Sequence, residues 1–366
     1  MRVLLLNWRD LDHPSAGGAE RYVHELGRRW AAGGHEVTLF CARPQGMAAS
    51  GERDGVRIVR EGSRWGVYRA ARSHLAATRW DAVIESVNTR PFFAHRFVAG
   101  TRTLALFYQL ARDVWFYEAP LPLALAGRFL FEPRWLRAYR GVPVAAISDS
   151  TRRDLEAVGV RPVVVAHPGT QVPPLGLSAK EPVPTLAFLG RLNRSKRPDA
   201  AVAAWRLVRH HMPGTRLWVV GEGPMRDRLP IEEGLTVFGR VEERRKWELL
   251  ARAHLLLVPS VREGWGMVVM EAGAVGTPAV GYRVPGLVDT IRDGESGWVC
   301  DPHPEAMAQA ALEALRGDRT AAMGARARHW ALRFTWDDAA EAVLSAVVDG
   351  MRRKDSVVLP ETVRRG

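Results

Sequence analysis

Of 366 residues, 47% are hydrophobic and 25% charged, ample for the core of one large or two medium globular domains. The net charge is +12, with residues 1–170 carrying +8 (24 basic, 16 acidic side chains), and such an excess favours anionic partners: phosphates, an acidic membrane surface or nucleic acid. A nucleic-acid binder is set aside because there is no basic stripe interleaved with aromatics, no zinc spacing and no nucleic-acid module.

The only cysteines, Cys41 and Cys300, form no metal or redox motif. The opening MRVLLLNWRD has too short an apolar run for a signal peptide, and no stretch reaches membrane-spanning length. A reducing, cytoplasmic setting is therefore expected. Lysine is rare: Lys180, Lys196, Lys246 and Lys354 stand against an otherwise all-arginine set of basic side chains.

Residues 3–6 read as a first buried strand. After a loop with Pro14 and Ser15, Gly17, Gly18, Ala19, Glu20 and Arg21 open a helix. Its apolar positions Tyr22, Val23, Leu26 and Trp30 fall at helical spacing, and Gly33 and Gly34 end it. Residues 36–41 form a second strand. This βαβ start has a glycine pair at its first turn but lacks the G-x-G-x-x-G fingerprint, which counts against a nicotinamide or flavin enzyme. Strands at 56–59, 82–86, 103–108, 144–147 and 163–166 continue the series. Helices are expected at 68–78, at 121–140, and from a cap at Ser148, Asp149 or Ser150 to Gly159. The stretch 121–140 has an apolar face and an arginine face; it either packs into a core or rests on anionic lipid.

Pro168, Gly169, Pro173, Pro174, Gly176, Pro182 and Pro184 mark a linker, placed at 171–184. A second series follows, with strands at 185–189, 216–220, 235–238, 255–258, 279–282 and 297–300 and a helical C-terminal third from Glu305. The expected fold class is α/β. Two Rossmann-like, doubly wound domains face a cleft: 1–170 and 185–335, with 336–366 as a helix and tail crossing back to the first.

The loops after the second-half strands hold the chemistry. One carries Arg191 and Lys196, another Gly221 and Gly223, a third residues 239–241, and a fourth Glu263, Gly264, Trp265 and Gly266; Glu271 lies in the helix beyond. In a parallel sheet all four emerge on one edge. Two cations, close-approach glycines, a helix N-terminus and two carboxylates suit a nucleoside diphosphate attached to a hydroxyl-rich group. Singly, each has an ordinary reading: a surface arginine, a turn, a crossover with two solvated acids.

Five segments together resemble the donor domain of the retaining family 4 glycosyltransferases. They are FLGRLNRSKRPD (188–199), VVGEGP (219–224), FGRV (238–241), PSVREGWGMVVMEAGAVGTPAV (259–280) and GLVDTIRDGESGWV (286–299). Glu263 and Glu271 resemble that family's E-x7-E pair, and GGAER (17–21) its glycine-rich loop near the donor phosphate. The resemblance implies the GT-B fold and a transfer of sugar from a nucleoside-diphosphate sugar, of UDP or GDP type, to an acceptor hydroxyl with retention. It implies that Arg191 and Lys196 neutralise the diphosphate, with Gly17 and Gly18 nearby. It also implies that Glu263 holds sugar hydroxyls beside the backbone of Gly264, Trp265, Gly266 and Met267, that Glu271 binds ribose, and that Arg240 and Val241 flank the base. Neither a metal nor a further cofactor is expected.

There are two departures. Where the family commonly has a histidine after a first-half strand, Gln109 stands, with His95 and Asp113 as other candidates; glutamine cannot take a proton at neutral pH. Where an acid usually follows the linker glycine, Gln171 stands. The acceptor is left open among a polysaccharide, a lipid-linked intermediate and a small natural product, with peripheral contact at the inner membrane face as an accompanying expectation. A sugar-nucleotide epimerase and a non-catalytic sugar-nucleotide-binding protein are the competing readings.

Overall fold

A computed structural model describes residues 1–88, 90–98, 102–171, 179–317 and 319–355. Strands β1 (Arg2–Leu6), β2 (Glu36–Cys41), β3 (Ser50–Arg53), β4 (Val56–Arg60), β5 (Ala82–Val87), β6 (Arg102–Phe107), β7 (Val144–Ala146) and β8 (Val163–Val165) form one sheet in the order 3-4-2-1-5-6-7-8. Strands β9 (Thr185–Leu189), β10 (Arg216–Val220), β11 (Leu235–Gly239), β12 (Leu255–Val258), β13 (Ala279–Tyr282) and β14 (Gly297–Cys300) form a second, in the order 11-10-9-12-13-14. Every neighbouring pair is parallel except β3 with β4. The expected α/β architecture of two parallel sheets flanked by helices is thus the one observed.

The strands are apolar throughout because helices cover both sheet faces. In β1, Val3 and Leu5 point to helix Gly18–Ala32 and its Tyr22, Leu26 and Trp30, while Leu4 and Leu6 point to the opposite layer with Phe40, Val67 and Leu75. In the second sheet, Leu186 and Phe188 pack with Trp205 of helix Pro198–His211, and Ala187 packs on the other face with Trp247. Helix Trp336–Asp355 returns from the second sheet to the first: the Trp30 indole donates to Ala340 O at 3.1 Å, and the Trp336 ring meets Tyr22 edge-on at 5.6 Å.

Two elements differ from expectation. Strand β3 was not anticipated, since SGER offers no apolar residue and lies fully exposed. Its cause is the two-residue turn Asp54–Gly55, both residues at positive φ, which folds β3 back on β4 as a hairpin. The stretch 121–140 is not one regular helix. It is divided into Leu121–Ala126, a π-helical turn Gly127–Phe131 and Glu132–Arg137. Ala124, Gly127, Glu132 and Leu136 face inward, but Leu121, Leu123, Leu125, Phe129, Leu130 and Phe131 are all exposed. No helix among the described residues is long and apolar enough to cross a membrane. Residues 172–178 of the expected linker and the tail 356–366 lie outside the described residues.

The loop after β1 is fastened by a buried charge network. Arg60, at the end of β4, pairs with Asp10 through Nε and with Asp12 through Nη2 at 2.8 Å, and both Arg60 and Asp10 are almost wholly buried. Cys41 Sγ lies 3.7 Å from Asp10, and burial among these carboxylates pushes its thiol pKa well up. Removing one partner of such a pair leaves the other charge buried alone, which costs about 3–5 kcal/mol. We therefore expect Arg60→Met to lower the unfolding free energy by about that amount, read from denaturant titration. A loss within the ordinary surface range, under about 0.5 kcal/mol, would mean that the network does not hold this loop.

Candidate functional site

Each sheet has a topological switch point, where strand order runs away in both directions. In the first sheet it lies between β1 and β5; in the second, between β9 and β12. Ligands of open α/β sheets bind at such crevices, outside the carboxyl ends of the strands. The β9 loop brings Arg191 and Lys196, the β12 loop brings Ser260 to Gly266, and the β1 loop brings Arg9 to Gly17.

These loops meet. A Cβ on Gly18, at the start of helix Gly18–Ala32, would stand 3.0 Å from Met267 Sδ, at the start of helix Met267–Ala274. A Cβ on Gly17 would stand 3.5 Å from Arg191 Nη2. A Cβ on Gly264 would come within 2.5 Å of Tyr108 O, at the end of β6, so no larger residue fits there. Gly266 caps its helix at φ 81°, a left-handed conformation that glycine adopts without strain. Two helix N-termini, each with unsatisfied N–H groups and partial positive charge, thus converge beside a guanidinium. Glu20 moderates this charge: it is buried, and its Oε2 accepts from Gly17 N at 2.7 Å.

The two glutamates of the second half lie in different settings. Glu263 Oε1 accepts from Lys196 Nζ at 2.5 Å and from Ser260 Oγ at 2.7 Å, so the cation expected at the phosphate and the carboxylate expected at the sugar touch each other. Glu271 Oε1 pairs with Lys246 Nζ at 2.9 Å, and Lys246 also holds Glu243 at 2.8 Å. Arg21 extends the chain of charges, pairing with Glu243 at 3.5 Å and donating to Gln171 Oε1. Gln171 and Arg21 line one small pocket with Gly169, Trp265, Met267, Glu271 and Trp336. The amide in place of the family's acid therefore sits next to Glu271.

Trp265 is anchored in the first half. Its side chain is buried in the core of the first half, stacked on His167 at 4.4 Å and edge-on to Phe334 at 5.0 Å. Only its main chain remains to face a donor. Arg240 reaches across to the first half, donating from Nη1 to Pro14 O at 2.9 Å, and its N–H donates to Glu222 at 3.2 Å; Val241 packs into the second-half core.

Gln109 follows directly on Tyr108 but lines a separate first-half pocket with Asn88, Phe107, Glu132, Trp135 and Tyr139. Its Oε1 is buried without a partner among the described residues. Glu132 accepts from the N–H groups of Ala111 at 2.6 Å and Arg112 at 3.0 Å, and its burial raises its pKa. His95 lies behind that pocket, 3.7 Å from the buried Glu85, whose carboxylate accepts from Tyr139 at 2.9 Å. Asp113 is exposed and pairs with Arg128 at 3.6 Å. Among the described residues, no three His, Cys, Asp or Glu side chains converge where a metal ion could bind.

Sequence reasoning passed over Lys246, Glu20 and Arg9. For Lys246 the signal was its rarity as one of four lysines. Glu20 was readable as the third helical residue after an N-cap glycine, the position from which a glutamate side chain reaches back to the N-cap N–H.

The sequence also matches known families. Residues 16–172 match the model "Glycosyltransferase Family 4", and residues 176–330 match "Glycosyl transferases group 1". A glycogen synthase of Mycobacterium tuberculosis is 26% identical over 92% of this chain and 91% of its own length. Among solved structures, a sucrose-phosphate synthase from Thermosynechococcus elongatus superposes with a TM-score of 0.78 at 20% identity, covering 96% of this chain and 99% of that one. Anabaena HepE in complex with UDP and glucose superposes at 0.72 with 15% identity, covering 95% and 100%.

We expect Lys246→Met to lower the unfolding free energy by about 1–3 kcal/mol, because it leaves the largely buried Glu271 carboxylate without its cation. Arg244→Met, an exposed change on the same helix, should stay within about 0.5 kcal/mol. Denaturant titration separates the two, and equal stabilities would mean that Lys246 does not hold Glu271.

Proposed function

This chain is a GT-B glycosyltransferase with a Family 4 match in its first half and a group 1 match in its second, and we propose that it moves a sugar from a nucleoside diphosphate to an acceptor hydroxyl with retention of anomeric configuration. The observation that carries this reading is the meeting of two helix N-termini with Arg191 and Lys196 at the switch point of the second sheet. That combination suits a pyrophosphate.

In this reading, Arg191, the main-chain N–H groups at 17–18 and 264–267, and Lys196 take the charge that develops on the departing diphosphate. Glu263 accepts from hydroxyls of the sugar, and its contact with Lys196 sets the lysine's position before the donor arrives. Glu271, paired with Lys246, accepts from the ribose. Arg240 and Val241 flank the base. UDP is the first nucleotide to test, since the structurally similar HepE holds it; GDP is the second.

Retention requires that the acceptor oxygen approach on the face the diphosphate leaves. The bond from the anomeric carbon to the phosphate oxygen breaks, the acceptor oxygen bonds to that carbon, and the acceptor's proton passes to the departing phosphate oxygen. No enzyme nucleophile is needed. Gln109 need not titrate; it serves as a hydrogen-bonding group on the acceptor side. The protein's part is electrostatic stabilisation by preformed donors, and no metal is required for it.

Removing one well-placed donor to a developing anion costs about 10²–10³ in rate. We therefore expect Lys196→Ala to lower kcat by about that factor while UDP still binds, with wild-type activity persisting in EDTA. Proton NMR of the product of an α-configured donor should show an α-glycoside. A β-product overturns retention. An isomerised donor formed without acceptor would make the chain an epimerase, and wild-type kcat in Lys196→Ala would remove that lysine's role.

The exposed row Leu121, Leu123, Leu125, Phe129, Leu130 and Phe131, flanked by exposed Arg134, Arg137 and Arg140, suits peripheral docking on an anionic bilayer. We expect the chain to float with phosphatidylglycerol vesicles and not with phosphatidylcholine alone. Leu123→Asp with Phe129→Asp should abolish flotation; flotation unchanged in that variant would exclude the row.

A further inference from the structure

The loop after β1 holds an arrangement that donor binding leaves unused. Arg9 Cζ rests 4.2 Å from the centre of the Trp8 ring, and Arg64 Cζ rests 5.4 Å from the same ring and 5.1 Å from that of Trp65. The cluster is built: Trp8 Nε1 donates to Arg64 O at 3.3 Å, and Arg9 Nη1 donates to Ser15 O at 2.9 Å. Trp65 is 63% exposed, an unusual position for an indole without a function.

The nearby acids are committed elsewhere. Asp10 and Asp12 hold Arg60, Asp12 also holds Arg53 at 2.7 Å, and Glu20 accepts from the Gly17 N–H. Among the described residues, neither Arg9 nor Arg64 has a carboxylate within ion-pairing distance. Burial lowers the Arg9 pKa; Glu20 opposes this, and repulsion from Arg191 and Arg64 adds to the lowering. His13 on the same loop is held down by burial and by Arg9. Arg9 is thus repelled by two other arginines: Arg191 on the donor side, and Arg64, which shares the Trp8 ring with it.

We propose that Arg9 and Arg64 form an anion subsite for the acceptor, which therefore carries a phosphate group next to a ring able to lie on the exposed Trp65 indole. This rests on the glycosyltransferase reading and adds the acceptor's chemical class. Guanidinium groups grip phosphate oxygens through paired N–H groups, and an indole face covers the apolar side of a ring. A phosphate held there places the acceptor's charge next to the donor's diphosphate only because Arg9 stands between them. The phosphate could belong to a small sugar or polyol phosphate, or to a lipid headgroup.

Calorimetric titration of the UDP-loaded full chain tests this, with glucose 6-phosphate and glucose as a matched charged and neutral pair. We expect the phosphorylated ring to bind at least tenfold more tightly. Arg64→Gln, an exposed change, and Arg9→Gln should each erase that preference, Arg64→Lys should restore part of it, and UDP affinity in Arg64→Gln should stay within twofold. Monomeric dihexanoyl phosphatidylglycerol, which offers no bilayer to the exposed row, supplies the second arm. Binding that glucose 6-phosphate displaces and Arg64→Gln abolishes supports the subsite and identifies the source as a lipid phosphate. Equal binding of glucose 6-phosphate and glucose, or a preference unchanged in both glutamine variants, overturns the proposal while normal UDP binding leaves the transferase reading standing. Failure of both UDP and GDP to bind wild type overturns that reading, and the acceptor assignment with it.

Discussion

The starts of two helices meet where a methyl group on Gly18 would stand 3.0 Å from the Met267 sulfur. Each brings N–H groups with no helical partner and a fraction of a positive charge. Arg191 lies against the same point, and Arg9 behind it. Such a convergence is electrostatically unfavourable unless an anion joins it. Glu20 supplies part of that negative charge from within the chain, to the Gly17 N–H by a hydrogen bond and to Arg9 through space. Much of the surrounding structure serves to hold these positive elements together.

That holding is done by contacts between the halves. Gly264 presses on Tyr108, Ser195 N–H donates to Glu118 at 3.1 Å, Ser150 N–H donates to Asp289 at 3.0 Å, and Arg262 pairs with Asp154. Trp265 goes furthest, since it belongs by sequence to the second half and by packing to the core of the first. The loop expected to bound a donor is therefore positioned by a side chain buried on the other side of the cleft. On the opposite flank, the Arg60–Asp10 pair keeps the β1 loop in place, so both walls of the site have buried anchors.

The strands were legible because parallel strands covered on both faces must be apolar throughout, and runs such as Val3 to Leu6 and Leu255 to Val258 are unambiguous. Strand β3 was not, because an edge hairpin needs no apolar residue; the Asp54–Gly55 pair was its one signal. The stretch 121–140 carried a helical period that predicts a helix but not which face will be covered, and here the apolar row is left exposed. At the site, Arg191, Lys196, Glu263 and Glu271 could be assembled in advance, because sheet topology puts loops after strands on one edge. The pairing of Lys246 with Glu271, the convergence on Gly18 and the arginine pair at Trp8 could not. These depend on how two halves distant in sequence come together, and no local pattern records that.

The chain passes between the halves twice, near residue 170 and again near residue 335. The two passages lie side by side: Thr170 N–H donates to Phe334 O at 2.9 Å, and a side chain on Gly169 would run into the Trp336 main chain. Two connections stitched together act as a door with both hinges on one post. Any opening of the halves must turn about this seam, so displacement grows with distance from it. Glu271 shares a pocket with Gly169, Thr170 and Trp336, at the post itself, where the travel is least.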